Sequence, residues 1–155
     1  FTISVMSGEQ DRIDIAQAAA QQLREVGIHC TVDIPAVMDW GGQMACLIGW
    51  GSPFDADDHT YKVFGTDKGA NYSGYSNAEV DEALTKARES SDPAVRKQYY
   101  DEFQVALAND PAYAFICYID ANYVATSRLH GIAVDTVMGH HGVGIFWNVE
   151  TWTLD

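Results

Sequence analysis

Phe1-Thr2-Ile3-Ser4-Val5-Met6 opens the chain, and Ile28-His29-Cys30-Thr31-Val32-Asp33-Ile34 follows it after an alanine-rich stretch. The first run alternates apolar and polar residues, the period of a half-buried strand. Ser7 with Gln10 three residues on resembles a capping box, and predicts a helix running to about Val26. Ala16, Ala18, Ala19 and Ala20 give that helix high propensity, and Ile13, Ala16, Ala20 and Leu23 share one face. Gly27 supplies the left-handed residue that stops it, and Pro35 ends the strand that follows. Strand, helix and strand joined by a tight glycine form a βαβ unit, so the fold class is α/β and the sheet here parallel.

The third strand reads as Met44 to Trp50, with Ala45 to Ile48 as its apolar run. It breaks at Gly49, carries Trp50, and turns through Gly51, Ser52 and Pro53 onto an acid-rich segment, Phe54 to His59. A strand ending in Gly, Trp and Pro before a helix is a common way to build a ligand-facing loop. Asp55, Asp57 and Asp58 precede Tyr61 to Phe64, where the helix dipole favours acids in the first turn. Residues 65–76 form a polar loop holding Tyr72 and Tyr75. Ser76-Asn77-Ala78-Glu79 is a capping box for a helix to about Glu89. Asp92-Pro93 opens another, carrying Val95, Tyr99, Phe103, Ala106 and Leu107 and stopping before Pro111. Its two apolar faces predict packing on the sheet. Ala114 to Ile119 and Tyr123 to Ala125 read as interior strands. In the tail, Met138 to Gly144 is turn-rich, and Ile145 to Leu154 alternates like a strand or extended arm.

Composition excludes several classes. The chain has 155 residues, 47% hydrophobic and 20% charged, as in an ordinary globular domain. No apolar run reaches the roughly 18 to 20 residues of a membrane helix. Phe1 opens a strand with no initiator Met or basic leader, which suggests a mature or excised piece. A net charge of −13, from 22 acids against 9 bases, without clustered Lys or Arg, argues against nucleic acid and anionic lipid. Cys30, Cys46 and Cys117 lie in apolar segments without CxxC or Cys/His spacing. They read as buried free thiols, with a single disulfide left open.

Asp55, Asp57 and Asp58 lack the spacing of an EF-hand loop, and read first as a helix-start cluster. A metal-dependent hydrolase using Asp55, Asp57 and His59 is the enzyme reading these residues allow. His140 and His141 are adjacent, so a regular element would point them to different faces. There is no HExxH, GxSxG, P-loop or GxGxxG after a strand. The chain therefore reads as a binding module and not an enzyme, with no cofactor. Trp50, Phe54, Tyr72 and Tyr75 flank turns near a strand's end, where an α/β ligand cleft lies.

Four stretches together carry a family resemblance. They are Leu23-x-x-Val26-Gly27-Ile28, Gly49-Trp50-Gly51-Ser52-Pro53-Phe54-Asp55, Asn71-Tyr72-Ser73-Gly74-Tyr75-Ser76-Asn77 with Val80, Asp81, Leu84 and Ala87, and Asp92 with Arg96 and Tyr99. In order and spacing, from Phe1 to about Ala125, the chain resembles the extracytoplasmic solute-binding proteins of peptide and nickel ABC importers. Those are much longer, with two lobes closing on a ligand. The resemblance implies a type II periplasmic-binding-protein-like lobe, with a βαβ-containing mixed sheet flanked by helices. Residues 1–125 would be part of the second, C-terminal lobe. Residues 126–155 would be a segment crossing back towards the first lobe, here without its native partner and able to pack back, swap or dimerise.

In that family the strand ending in the Trp lines the cleft, and backbone there pairs with an extended peptide. The resemblance gives Trp50, Gly51, Ser52, Phe54 and Asp55 as ligand-binding positions. Trp50 and Phe54 would supply apolar walls and Gly51-Ser52 backbone hydrogen bonds. Asp55 is equally suited to capping the next helix. Peptide-binding members often carry an Asp three residues after the Trp, and here Pro53 takes that place, without charge or N–H. The Trp-Gly-x-Pro-aromatic-Asp pattern looks closer to the nickel branch, although residues 65–75 hold no His. Peptide, nickel chelate and other small solutes stay open as ligands. The other partners implied are the membrane permease and the first lobe, and the implied location is extracytoplasmic.

Overall fold

Strand β1 (Thr2–Ser4) is central, because both neighbours run parallel to it. The computed structural model describes residues 1–51, 55–120, 122–133 and 144–155. The chain forms two compact units, Phe1–Trp50 and Gly51–Asp155.

In the first unit, β2 (Thr31–Asp33) pairs Ile3 with Val32, and β3 (Ala45–Cys46) pairs Ile3 with Ala45, giving the order β2-β1-β3. Val5 N donates to Asp33 O at 2.9 Å and Leu47 N to Ser4 O at 3.0 Å, extending both ladders by a step. Helix α1 (Gln10–Glu25) is the crossover expected of a βαβ unit. It buries Ile13, Ala16 and Ala20. Val5, Ile13 and Ala16 form its core, with Ile3, Val32 and Leu47 packed against them. Gly27, at φ +82°, ends α1 as expected: its N–H reaches Arg24 O at 3.1 Å, and Ile28 N reaches Leu23 O at 2.9 Å.

The capping box at the start of α1 does not form. Glu9 is the N-cap and makes no side-chain cap bond. Ser7 N is committed to Pro35 O at 2.9 Å, and Gln10 Nε2 reaches forward to Asp14 at 2.7 Å. Sheet closure takes Ser7 away from the helix end. The strand expected over Met44 to Trp50 is shorter, Ala45–Cys46 with one further ladder bond at Leu47, and is half-buried.

In the second unit, α2 (Ala56–Phe64), α3 (Ala78–Glu89) and α4 (Pro93–Asn109) follow the order read from sequence. Asp92 caps α4 by accepting from Ala94 N at 2.8 Å, with Pro93 in the first turn. For α3 the start is correct but the cap is Asn77, not Ser76: Asn77 Oδ1 accepts from Glu79 N at 2.9 Å and Val80 N at 3.2 Å. Val63, Val80, Leu84 and Ala87 are fully or almost fully buried. Phe64 meets Phe103 and Tyr113 at ring separations of 5.5 Å each. The apolar face of α4 packs on α3, where the sequence reading placed a sheet.

Three further expectations are corrected. Ala114 to Ile119 and Tyr123 to Ala125 are not strands, and Tyr118 and Val124 are wholly exposed. Their apolar run signals a surface that buries well, but a strand needs a ladder, and none exists for it among the described residues. Cys117 lies on this exposed segment; Cys30 is buried, Cys46 half-buried, and all three are free. The tail from Ile145 is a 3-10 stretch (Ile145–Thr151) kinked at Asn148, then a short strand β5 (Thr153–Leu154) antiparallel to β4 (Leu129–His130). Buried Asn148 organises it, donating to Gly131 O at 2.8 Å and accepting from Trp152 Nε1 at 3.0 Å. The turn-rich run from Met138 lies outside the described residues up to Val143.

Candidate functional site

Gly51 opens the second unit and is buried, and its carbonyl oxygen lies 2.8 Å from His59 Nδ1 on α2. A carbonyl only accepts, so Nδ1 carries a hydrogen, and Nε2 lies 3.5 Å from Asp58 Oδ2. The histidine singled out from sequence thus staples the start of the loop to the helix after it.

The acid-rich segment is resolved residue by residue into pairs. Asp55 is the N-cap of α2, accepting from Asp57 N at 2.8 Å. Arg96, on α4, grips the same carboxylate with both fork nitrogens, Nη1 to Oδ2 at 2.9 Å and Nη2 to Oδ1 at 2.5 Å. That pairing with Arg96, aided by the Asp57 N–H, holds the Asp55 carboxyl down at about 2. Asp57 meets Arg88 of α3 at 3.1 Å. The same guanidinium lies 3.9 Å over the Tyr61 ring, and Lys68 comes within 4.8 Å of that ring. Asp58 bonds Lys62 at 2.7 Å, which keeps its carboxyl below the ordinary value. Each acid therefore has its own cation. Among the described residues no group of three or more His, Cys, Asp or Glu is gathered to hold a metal ion.

The loop after α2 is built around Asn71. Its Nδ2 donates to Gly65 O at 2.9 Å and Tyr75 O at 2.7 Å, and its Oδ1 accepts from Tyr75 N at 3.0 Å and Ser73 Oγ at 3.2 Å. Asp81 of α3 accepts from both Thr66 N at 2.8 Å and Thr66 Oγ1 at 2.6 Å. Tyr75 Oη donates to Asp110 O at 2.9 Å, and burial with the Asp110 charge raises its phenol above the usual value. The Asn71 to Asn77 run, one of the four stretches that carry the resemblance, is thus a structural device that ties α2, α3 and the end of α4 together.

Trp50 is half-buried at the end of the first unit, while Gly51 and Asp55 lie at the start of the second. Ser52 and Phe54, with Pro53, lie outside the described residues, as do His140 and His141. Sequence reasoning missed Arg96 and Arg88 as partners of the acids, since Arg96 is 41 residues from Asp55 and no local pattern links them. Among the described residues no helix is long and apolar enough to cross a membrane.

The parallel β2-β1-β3 sheet with its crossover helix makes the first unit α/β. Comparison with known proteins goes further. The solved structure of NikZ from Campylobacter jejuni in complex with Ni(L-His) superposes with TM-score 0.82 at 38% identity, over 99% of this chain and 33% of that one. Oligopeptide-binding protein AppA of Bacillus subtilis is 29% identical over 99% of this chain and 29% of its own length. Its structure with a nonapeptide superposes with TM-score 0.68. Protein XP55 of Streptomyces lividans is 35% identical over 85% of this chain and 26% of its own length. No family model matches the chain. The fold is that of a type II periplasmic binding protein, and over nearly its whole length the chain is similar to a part of the solute-binding proteins of peptide and nickel ABC importers. It spans under a third of the length of the curated relatives it matches.

Proposed function

We propose that this chain is part of the ligand-binding second lobe of an ABC importer's solute receptor, taking oligopeptides, dipeptides or a similar small solute. The observation that carries this is likeness along nearly the whole chain to AppA, an oligopeptide-binding protein, and to NikZ, which is seen with Ni(L-His). On this reading residues 1–125 belong to that lobe and residues 126–155 cross towards the first. The family resemblance would give Trp50 and Phe54 as apolar contacts to the ligand, and Gly51 and Ser52 as its backbone hydrogen-bonding positions. Asp55, with both oxygens engaged by Arg96, ties the start of α2 to α4 more than it reaches a ligand. The protein is a receptor and not an enzyme, works outside the cytoplasm, and presents its closed form to a membrane permease.

A metal-chelate ligand is the second reading, favoured by the higher identity and TM-score of the NikZ match and by Pro53 where an anchoring Asp would stand. The hydrolase reading loses support because Asp55 and Asp57 are paired with Arg96 and Arg88. The gene tests the proposal first. Several hundred codons upstream of Phe1 with a Sec or lipoprotein signal support it, and a start codon beside Phe1 overturns it. Calorimetric titration of the full-length protein with a nonapeptide and with Ni(II)–L-histidine then separates the two ligand readings.

A further inference from the structure

The backbone that leads into Trp50 is supported from one side by a single charged side chain. Pairing to β1 reaches Leu47, and the chain then passes Gly49 against the guanidinium of Arg12, in the first turn of α1. A Cβ built on Gly49 would lie 2.6 Å from Arg12 Nη2 and 3.1 Å from both Cζ and Nε. The flat guanidinium thus fills the space a side chain at residue 49 would occupy. It is held there by Glu9, whose Oε2 lies 2.6 Å from Nη1, and the Arg12 side chain is only 17% exposed. The backbone of Gly49 is not left-handed, so a positive φ does not demand the glycine, and the Arg12 guanidinium lies where a Cβ at residue 49 would be.

We propose that Arg12 is a positioning residue: clamped by Glu9, it sets the path of the chain at Gly49 and so the direction in which Trp50 enters the ligand-facing segment. This rests on the proposed receptor function for its meaning. The physical coupling it asserts stands apart from any ligand. Glu9 and Arg12 lie one helical turn apart, so the clamp is built into α1, which the sheet already anchors through Ile13 and Ala16. An Arg suits the task because Nη1 can keep the carboxylate while Nη2 lies against Gly49; a Lys, with one nitrogen, cannot do both.

The test needs no ligand. 5-Fluorotryptophan is incorporated into the full-length protein, and the Trp50 fluorine line is assigned by its loss in Trp50→Phe. Arg12→Gln and Arg12→Lys should both shift or broaden the Trp50 line beyond its linewidth while the Trp152 line stays in place. Gly49→Ala should move the Trp50 line in the native background, because the new methyl displaces Arg12, and should add no movement in an Arg12→Ala background. A Trp50 line unmoved by Arg12→Gln, or a Gly49→Ala shift of the same size with and without Arg12, overturns the proposal. If Arg12→Gln does not fold, the comparison of Gly49→Ala with the Gly49→Ala and Arg12→Ala double variant decides alone. Because these readouts are ligand-free, failure of the receptor reading leaves them interpretable, and their failure leaves that reading untouched.

Discussion

Asp55 and Arg96 stand 41 residues apart in the chain and meet fork to carboxylate, Nη1 to Oδ2 at 2.9 Å and Nη2 to Oδ1 at 2.5 Å. One residue caps α2 and the other lies on α4, so the pair fixes where the acid-rich segment joins the helical unit. The Asp55 carboxyl is lowered from 3.8 to about 2 by that pairing. A group depressed in the folded state contributes stability that is present above its unfolded value and lost as pH falls through the folded one. The stability gap between the native protein and Asp55→Asn should therefore be constant above about pH 5 and shrink between about pH 4 and pH 2. Paired thermal melts across that range check this, and a gap that widens on acidification contradicts it.

Asn71→Ala should destabilise the second unit by about 2–3 kcal/mol, since it removes four hydrogen bonds in a half-buried loop and orphans backbone groups of Gly65 and Tyr75. Asn71→Asp should cost at least as much, because a carboxylate cannot donate to the two carbonyl oxygens that Nδ2 serves. Urea unfolding of the two variants measures both, and equality with the native protein would show the loop is held by something else.

That loop shows how the sequence could be read and where it stopped. Helix starts were legible because caps are local: Asp92 before Pro93, and the Asn77 region three residues ahead of Val80. The βαβ unit was legible because strand and helix periods differ and Gly27 marks the join. What escaped was long-range. The cations that satisfy Asp55 and Asp57 come from other helices. Ser7 lost its capping role to Pro35, a partner no local pattern names. The segment from Ala114 to Ala125 has the composition of a buried strand, but composition records how well a surface buries and not whether a ladder lies beside it. Of the candidate site, Asp55 as the cap of the next helix was legible, and its engagement by Arg96 was not.

Leu84 lies on the buried face of α3 at 1% exposure, where α4 packs against it. Leu84→Ala should cost about 2–5 kcal/mol, the range for a buried leucine that leaves a cavity. Equilibrium denaturation gives the figure, and a cost below about 1 kcal/mol would mean the α3–α4 contact relaxes around the gap.

Residues 1–155 alone should bind solutes only weakly, because under the proposed function they supply one wall of a two-walled cleft. Titration of this chain with a nonapeptide and with Ni(II)–L-histidine should show dissociation constants no tighter than about a millimolar. Micromolar binding by the isolated chain would mean the site is complete within it.

The central claim is that the segment beginning at Trp50 faces the transported solute, and calorimetry on the full-length receptor tests it most directly. Whichever of the two solutes binds the native protein saturably, Trp50→Ala should weaken it at least about tenfold, equivalent to about 1.4 kcal/mol, with thermal stability changed little. Saturable binding that Trp50→Ala leaves unaltered, or no binding of either solute by the native protein, would contradict it.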